Sequence, residues 1–322
     1  MPKYILGFDV GGTKISVVLG DETGKILGSQ RKPTVRHLGR KRLAEDLLSM
    51  GHSMLDKFGL KKPDAIGVIF AGLVDSDRGM VLTSPNILGL KNFPISKVLE
   101  DEFGAKVYLE NDATAATIAE RIFGSGKNMD NFVYLTLSTG IGGGAFIDGK
   151  LYRGAHGMAG EMGHMVVMSN GPVCGCGRRG CLEAVASGRG IARRVAENVT
   201  AVKESELYSK IRPSDIDAKK VFEFKKKGDM FSQLIIEETI YYLAVGIVNI
   251  IDIFDPEAVI IGGGIASAGD DLFKPLRVAV QEEFKSMQRP VKILKGIKNG
   301  HDLSTIALPI YRESHELKAA LN

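Results

Sequence analysis

The sequence predicts an α/β chain of two domains, each headed by a glycine-rich hairpin. Three observations lead there. At 322 residues the chain holds two domains of roughly 150 residues. An apolar run that breaks into a polar, glycine-rich turn occurs at the N-terminus and again near residue 132. Between these hairpins, short buried-strand runs alternate with helix-spaced segments. A tandem pair of such hairpins is what a duplicated nucleotide clamp would show.

Taken in order, Tyr4–Phe8 is apolar and breaks into Asp9-Val10-Gly11-Gly12-Thr13-Lys14. Ile15–Leu19 follows, then the turn Asp21–Lys25 and Ile26–Leu27, giving two or three antiparallel strands. Lys41 to Phe58 carries Leu43, Leu47, Leu48, Met54 and Leu55 at helical spacing, and Ala65–Phe70 reads as a buried strand. Residues 71–75 and 83–86 read as loops. Val107–Leu109 is a strand, and Asp112 opens an alanine-rich helix to about Phe123. The pattern then restarts. Phe132–Leu137 breaks into Ser138-Thr139-Gly140-Ile141-Gly142-Gly143-Gly144, followed by Ala145–Ile147, the turn Asp148-Gly149-Lys150 and Leu151-Tyr152. Residues 201–232 read as a solvated, charged helical segment, Gln233–Phe254 as a long apolar helix, and Ala258–Ile261 as a buried strand running into Gly262-Gly263-Gly264. With no low-complexity linker, the domain boundary is expected as a hinge near residues 111–120.

Composition excludes several classes. Charged residues make up 25% and hydrophobic residues 44%, as in ordinary globular proteins. Lys+Arg minus Asp+Glu is 42 − 38 = +4, with bases scattered among acids, so no nucleic-acid surface is indicated. No run approaches 18 consecutive apolar residues, which argues against a membrane span. Asp9 arrives too early for a signal-peptide core. All three cysteines lie within residues 174–181, which points to metal or thiol chemistry in a reducing cytoplasm rather than to a disulfide framework.

Three kinds of motif carry chemistry. In the hairpins, glycines let backbone N–H groups approach phosphate oxygens, and Thr13 and Thr139 add hydroxyl donors. Asp9 adds a carboxylate able to hold the waters of Mg²⁺. The plainer reading, a tight turn and nothing more, is weakened by the repetition and by Gly262-Gly263-Gly264 after a buried strand. Gly144 to Lys150 fits G-x-x-x-x-G-K, but Leu151 stands where a P-loop needs Ser or Thr, and no helix follows. His164, nine residues, then Cys174-x-Cys176 and Cys181 supply one imidazole and three thiols, a complete tetrahedral set for structural Zn²⁺. Glu110-Asn111-Asp112 lies at a strand-to-helix junction, where Asp112 is either a ligand-facing carboxylate or an N-cap. Asn86, Glu161 and Glu183 are mute alone, but a closed zinc loop would fix the two glutamates beside it. Carboxylates and amides without paired bases suit a neutral polyol such as a sugar.

Asp9-Val-Gly-Gly-Thr-Lys14, Thr139-Gly-Ile-Gly-Gly-Gly144, Glu161-Met-Gly-His164 and Cys174-Gly-Cys-Gly-Arg-Arg-Gly-Cys-Leu-Glu183 closely resemble the motifs of the ROK family (repressors, open reading frames, kinases) of bacterial-type sugar kinases. The resemblance spans nearly the whole chain, and the zinc loop is its most specific part. It implies two ribonuclease-H-like (actin-like ATPase) domains with a cleft between them. The small domain would be residues 1–116 with the helix 304–322 packed back on it, and the large domain residues 117–303 with the zinc loop and adenosine site. The implied activity is ATP-dependent transfer of the γ-phosphate to the 6-hydroxyl of glucose, with N-acetylglucosamine or N-acetylmannosamine as alternative acceptors. A sugar-responsive repressor is the other class in the family, but the first hairpin begins at residue 4 and leaves no room for a DNA-binding segment.

Carried over by residue, the resemblance makes Asp112 the catalytic base. Asn86, Asn111, Glu161, His164 and Glu183 become sugar contacts, with Asp112 among them, and His164, Cys174, Cys176 and Cys181 the zinc ligands. Asp9, Gly11, Gly12, Thr13, Lys14, Thr139 and Gly140 become contacts to ATP and Mg²⁺, and Gly263 and Gly264 flank the adenosine. It further implies a cytoplasmic homodimer or homotetramer with no nucleic-acid or membrane partner. The sequence departs from the family pattern at Ser138, where many relatives have Gly, and in Asp302–Arg312, which lacks the usual small-residue run.

Overall fold

The runs beginning at Tyr4 and Phe132 become the central strands of two five-stranded sheets with the same strand order. The computed structural model describes residues 2–34, 39–84, 86–198, 205, 208–212, 215–284 and 290–321. They form two compact units, Met1–Lys127 with Ile297–Asn322, and Asn128–Gly296.

In the first unit the strands β1 (Tyr4–Val10), β2 (Lys14–Asp21) and β3 (Ile26–Pro33) form an antiparallel meander. Helix α1 (Gly39–Lys57) then leads to β4 (Ala65–Phe70), which pairs parallel with β1. Residues 73–75, expected as loop, form a short strand β5 (Leu73–Asp75) in a three-stranded sheet with β6 (Met80–Thr83) and β7 (Lys91–Phe93). Three residues are too few to show strand alternation, and Val74 is held in place by its partner Val81. Helix α2 (Ile95–Phe103) precedes β8 (Lys106–Asn111), which pairs parallel with β4, and α3 (Asp112–Ile122) follows at once. The sheet order is β3-β2-β1-β4-β8. β1 and β4 are apolar and buried almost throughout, because helices cover both faces of the sheet.

The C-terminal helix, Gly300–Leu321, packs on α3, β1 and β4 of this unit. Its start precedes the expected residue 304, and α3 lies with it, so the unit boundary falls after Lys127 rather than at residue 116. The small residues that let the helix approach the sheet are on the sheet. Gly7 and Gly67 are register partners in β1 and β4. A Cβ on Gly7 would collide with the Thr305 hydroxyl, and one on Gly67 with the Thr305 carbonyl.

The second unit repeats the plan. β9 (Phe132–Leu137), β10 (Ile141–Ile147) and β11 (Lys150–Leu151) form the meander, and the sheet order is β11-β10-β9-β12-β13. Asp148 and Gly149 join β10 to β11 at φ 50° and 70°, a two-residue hairpin turn, so the G-x-x-x-x-G-K string is no phosphate loop. Helices α4 (Leu182–Ala186), α5 (Gly188–Glu197), α6 (Ala218–Lys226) and α7 (Met230–Phe254) follow, then β12 (Ala258–Gly262), α8 (Asp270–Glu283) and β13 (Lys292–Lys295). α7 is long and apolar enough to span a membrane, but Ile236, Leu243, Ile247 and Ile250 are fully buried in the core of this unit.

Within the segment read as a solvated helix, residues 201–204, 206–207 and 213–214 lie outside the described residues. The rest corrects that reading, since Tyr208, Ile216, Val221, Phe222 and Phe224 are buried.

Candidate active site

The first unit gathers carboxylates and amides around the hairpin between β1 and β2. Asp9 is buried at the end of β1, and the turn closes with the Gly11 N–H donating to the Lys14 carbonyl at 3.0 Å. Thr34 braces it, its hydroxyl donating to the Gly11 carbonyl at 2.7 Å. Thr13 and Lys14 are exposed at the tip, where phosphate can reach them. Asn86 lies against this turn. A Cβ on Gly12 would fall 2.6 Å from Asn86 Oδ1, so a larger residue there would push the Asn86 amide out of this place. The Asn86 amide also donates to the Ala71 carbonyl at 3.4 Å.

At the β8–α3 junction the polar triplet divides its work. Buried Glu110 accepts the Ser76 hydroxyl and the Asn111 N–H, both at 3.0 Å. Asn111 is the N-cap, in extended geometry, and its Oδ1 accepts from the N–H groups of Ala113 and Thr114. Its Nδ2 donates to the Gly72 carbonyl at 3.2 Å, which leaves one amide hydrogen for a ligand. Asp112 is therefore the first residue of the helix and not its cap. Its Oδ1 accepts the Ala113 N–H at 3.0 Å.

His301, in the first turn of the C-terminal helix, completes the group with Nδ1 3.8 Å from Asp9 Oδ2. Sequence reasoning passes over it because 292 positions separate it from Asp9 in the chain (301 − 9). Burial pushes the Asp9 carboxyl up to about 6, with His301 pulling it down and Asp112 pushing it further up. Burial likewise raises Asp112, opposed chiefly by the Ala113 N–H. Ser16 is the register partner of Asp9 on β2, and its hydroxyl is buried with no hydrogen-bond partner among the described residues. A buried Asp9 and a half-buried Asp112 that repel one another, beside an unsatisfied hydroxyl, are an all-oxygen donor set of the kind a hydrated Mg²⁺ takes.

In the second unit the hairpin between β9 and β10 is tied to α5. The Gly188 N–H donates to the Ser138 carbonyl at 2.8 Å, and the Arg189 N–H to the Thr139 carbonyl at 3.2 Å. Beside this contact opens a cavity of about 670 Å³, lined by Thr139, Ile216, Phe222, Gly264 and Ile265 among others. That volume suits a nucleotide-sized ligand. Gly263, at φ 86°, and Gly140 lie in the adjoining turns but do not line it. Ile216 and Phe222 escape the sequence reading amid charged neighbours, although Ala218, Val221 and Phe222 hold the i, i+3, i+4 spacing that marks a buried helix face.

The zinc motif folds into one cluster. The ligand atoms of His164, Cys174, Cys176 and Cys181 all lie within 4.8 Å of one another. Cys176 and Cys181 Sγ are 3.7 Å apart, and Cys174 Sγ is 3.5 Å from His164 Nδ1. A tetrahedral zinc with ordinary bond lengths sets these separations at roughly 3.8 and 3.5 Å, so the residues fit the metal. Hydrogen bonds from Arg178 hold the exposed Cys176 thiol down to about 6, and burial pushes Cys174 up to about 12. His164 Nε2 faces Glu161 at 3.8 Å, an outer carboxylate of the kind that orients a ligating imidazole. Glu183 bridges outward from the cluster. Its Oε1 is 3.7 Å from Cys174 Sγ, while its Oε2 accepts the Ile141 N–H of the hairpin at 3.0 Å.

The ROK family model matches residues 5–306. The chain is 41% identical over 286 residues to a glucokinase of Thermotoga maritima, covering 87% of this chain and 88% of that one. It is 31% identical to a xylose repressor of Bacillus subtilis, over 88% of this chain and 70% of the repressor. Among solved structures, a ROK family glucokinase from Streptomyces griseus, determined with glucose and AMPPNP, is similar at a TM-score of 0.82 and 30% identity, covering 96% of this chain and 99% of that one. The shared sheet order of the two units and this likeness give the actin-like ATPase fold.

Proposed function

This chain belongs to the ROK family, and from that membership we propose that it is an ATP-dependent glucokinase. The observation that carries the reading is the pair Asn111 and Asp112. Because Asn111 already caps α3, the half-buried Asp112 carboxylate at that helix N-terminus is not needed as the cap, although it also accepts the Ala113 N–H. The helix dipole favours its ionised form, and burial makes it a better proton acceptor than an exposed aspartate.

Asp112 takes the proton of the glucose 6-hydroxyl as that oxygen attacks the γ-phosphorus of ATP. The O6–P bond forms, the bond from phosphorus to the β,γ-bridging oxygen breaks, and ADP leaves. Asn86, Asn111, Glu161, His164 and Glu183 read the other hydroxyls of the sugar. Backbone amides and the Thr13 and Thr139 hydroxyls hold the phosphates with Gly11, Gly12, Lys14 and Gly140, and Gly263 and Gly264 flank the adenosine. Mg²⁺, held through water by Asp9, would neutralise charge on the phosphates. Zinc on His164, Cys174, Cys176 and Cys181 would be structural, since four protein ligands leave no open position. The clustered thiols support a cytoplasmic enzyme, and the exposed Leu234 and Tyr241 on one face of α7 support a homo-oligomer.

The test is a coupled phosphorylation assay over a panel of hexoses and amino sugars. Glucose should give the highest kcat/KM with ATP. Faster turnover of N-acetylglucosamine or N-acetylmannosamine would move the enzyme to the amino-sugar branch, and sugar binding without any phosphorylation would sink the kinase reading.

A further inference from the structure

We propose that Arg189 grips the phosphate chain of the donor nucleotide and sets the affinity for ATP over uncharged adenosine. The inference rests on reading the cavity of the second unit as the ATP site.

Charge bookkeeping within that cavity singles Arg189 out. Three cationic side chains line it, Arg189, Lys219 and Lys226. Two are already engaged, Lys219 with Glu223 at 3.8 Å and Lys226 with Asp271 at 2.8 Å. Arg189 has no ion pair among the described residues, and its side chain is exposed at the cavity. A long cation held on a lining with no carboxylate partner is available for an anionic ligand.

Position adds to charge. Arg189 is in the first turn of α5, which Ser187 caps by accepting the Gly190 N–H at 3.2 Å. Backbone bonds from Gly188 to Ser138 and from Arg189 to Thr139 fasten that turn to the hairpin, and a Cβ on Gly188 would stand only 2.9 Å from the Ser138 carbonyl oxygen. The main chain of Arg189 is thus tethered beside Thr139, the residue assigned to phosphate, and both residues line the cavity, while Ile216, Phe222 and Ile265 offer the apolar wall a purine needs. A planar guanidinium can meet two phosphate oxygens at once, which a lysine cannot.

The test compares Arg189→Gln, Arg189→Lys and Phe222→Trp with the parent chain in steady-state phosphorylation of glucose, with adenosine and ADP as competitors. Arg189→Gln should raise the KM for ATP by about tenfold, the worth of one charge-assisted phosphate contact. It should weaken ADP inhibition by a similar factor and leave adenosine inhibition and the KM for glucose unchanged. Arg189→Lys should recover part of the loss. Raising salt to about 0.3 M should erode ATP affinity in the parent more than in Arg189→Gln, because an exposed ion pair is screened. An unchanged ATP KM in Arg189→Gln overturns the inference. If Phe222→Trp still raises that KM, the nucleotide site stands and Arg189 alone falls. If neither variant moves it, the cavity is not the nucleotide site and both readings fall.

Discussion

Asn111 and Asp112, adjacent acceptors at the start of α3, hold different jobs. Asn111 Oδ1 takes the N–H groups of Ala113 at 3.0 Å and Thr114 at 3.3 Å. Asp112 shares only the first of these donors. The division makes the two side chains separable by mutation. Asp112→Asn should cut turnover by about 10²–10⁴-fold, the usual range for a positioned base, with little change in thermal stability. Asn111→Ala should cost about 1 kcal/mol of stability through the lost cap. Calorimetry and steady-state kinetics on the pair check both halves, and near-normal turnover in Asp112→Asn removes it from the mechanism.

Asp9 gives a prediction in pH. Its carboxyl titrates at about 6 in the folded chain, against 3.8 for an ordinary aspartate. His301 and Lys14 act to lower it, and Asp112 and Asp302 to raise it. A folded value above the unfolded one means the native state holds the proton more tightly. The stabilisation is full below about pH 4 and is lost as pH rises through about 6. The gap of about two units sets a ceiling of about 3 kcal/mol. Asp9→Asn, without divalent metal, should therefore melt above the parent at pH 7.5 and lose most of that advantage near pH 4.5, while phosphoryl transfer falls. The same difference in Tm at both pH values would show that burial of this charge is not what matters.

What the sequence discloses is what is local. The turns at Gly11–Thr13 and Ser138–Gly140 and the Cys174–Cys181 loop are written in consecutive residues, so their chemistry is legible in the residue order itself. Asn111 and Asp112 both fit a cap, and only the extended backbone at Asn111 (φ −62°, ψ 148°) decides between them. The strand at Leu73–Asp75 depends on its pairing with Met80–Thr83, and the approach of His301 to Asp9 on a contact across the whole chain. Ile216 and Phe222 are masked by the lysines around them. These are long-range facts, and hydrophobic period alone does not encode them.

The metal prediction follows from the closed ligand set. Protein purified without chelator should carry about one zinc per chain, the capacity of a single four-ligand site. Cys176→Ala should lose it, melt earlier and show a raised KM for sugar, because Glu161 and Glu183 border the cluster. The KM for ATP should move less, although Glu183 also bonds the Ile141 N–H. A metal-free protein that is fully active and melts cooperatively would show the zinc proposal to be wrong.

Thr305 packs against Gly7 and Gly67 through different atoms, and that difference can be measured. At Gly7 an added methyl would collide with the Thr305 hydroxyl and Cβ, and at Gly67 with its main-chain carbonyl. Side chains can be trimmed, whereas the carbonyl belongs to the helix ladder. Both Gly7→Ala and Gly67→Ala should destabilise the first unit by about 1–3 kcal/mol or more, the cost of overpacking a filled interior. Adding Thr305→Ala removes the clashing hydroxyl but keeps the Cβ, so it should recover only the hydroxyl's share of the loss at Gly7 and none at Gly67, a coupling that a double-mutant cycle reads directly. Thr305→Ala alone sacrifices the hydroxyl bond to the Asp302 carbonyl at 2.7 Å, so its own cost must be subtracted first. The helix start carries His301 and the β1 end carries Asp9, so the same clash should lower turnover along with Tm. Equal recovery at both glycines would mean that the helix shifts as a body, and that Gly7 and Gly67 do not set its seat on the sheet.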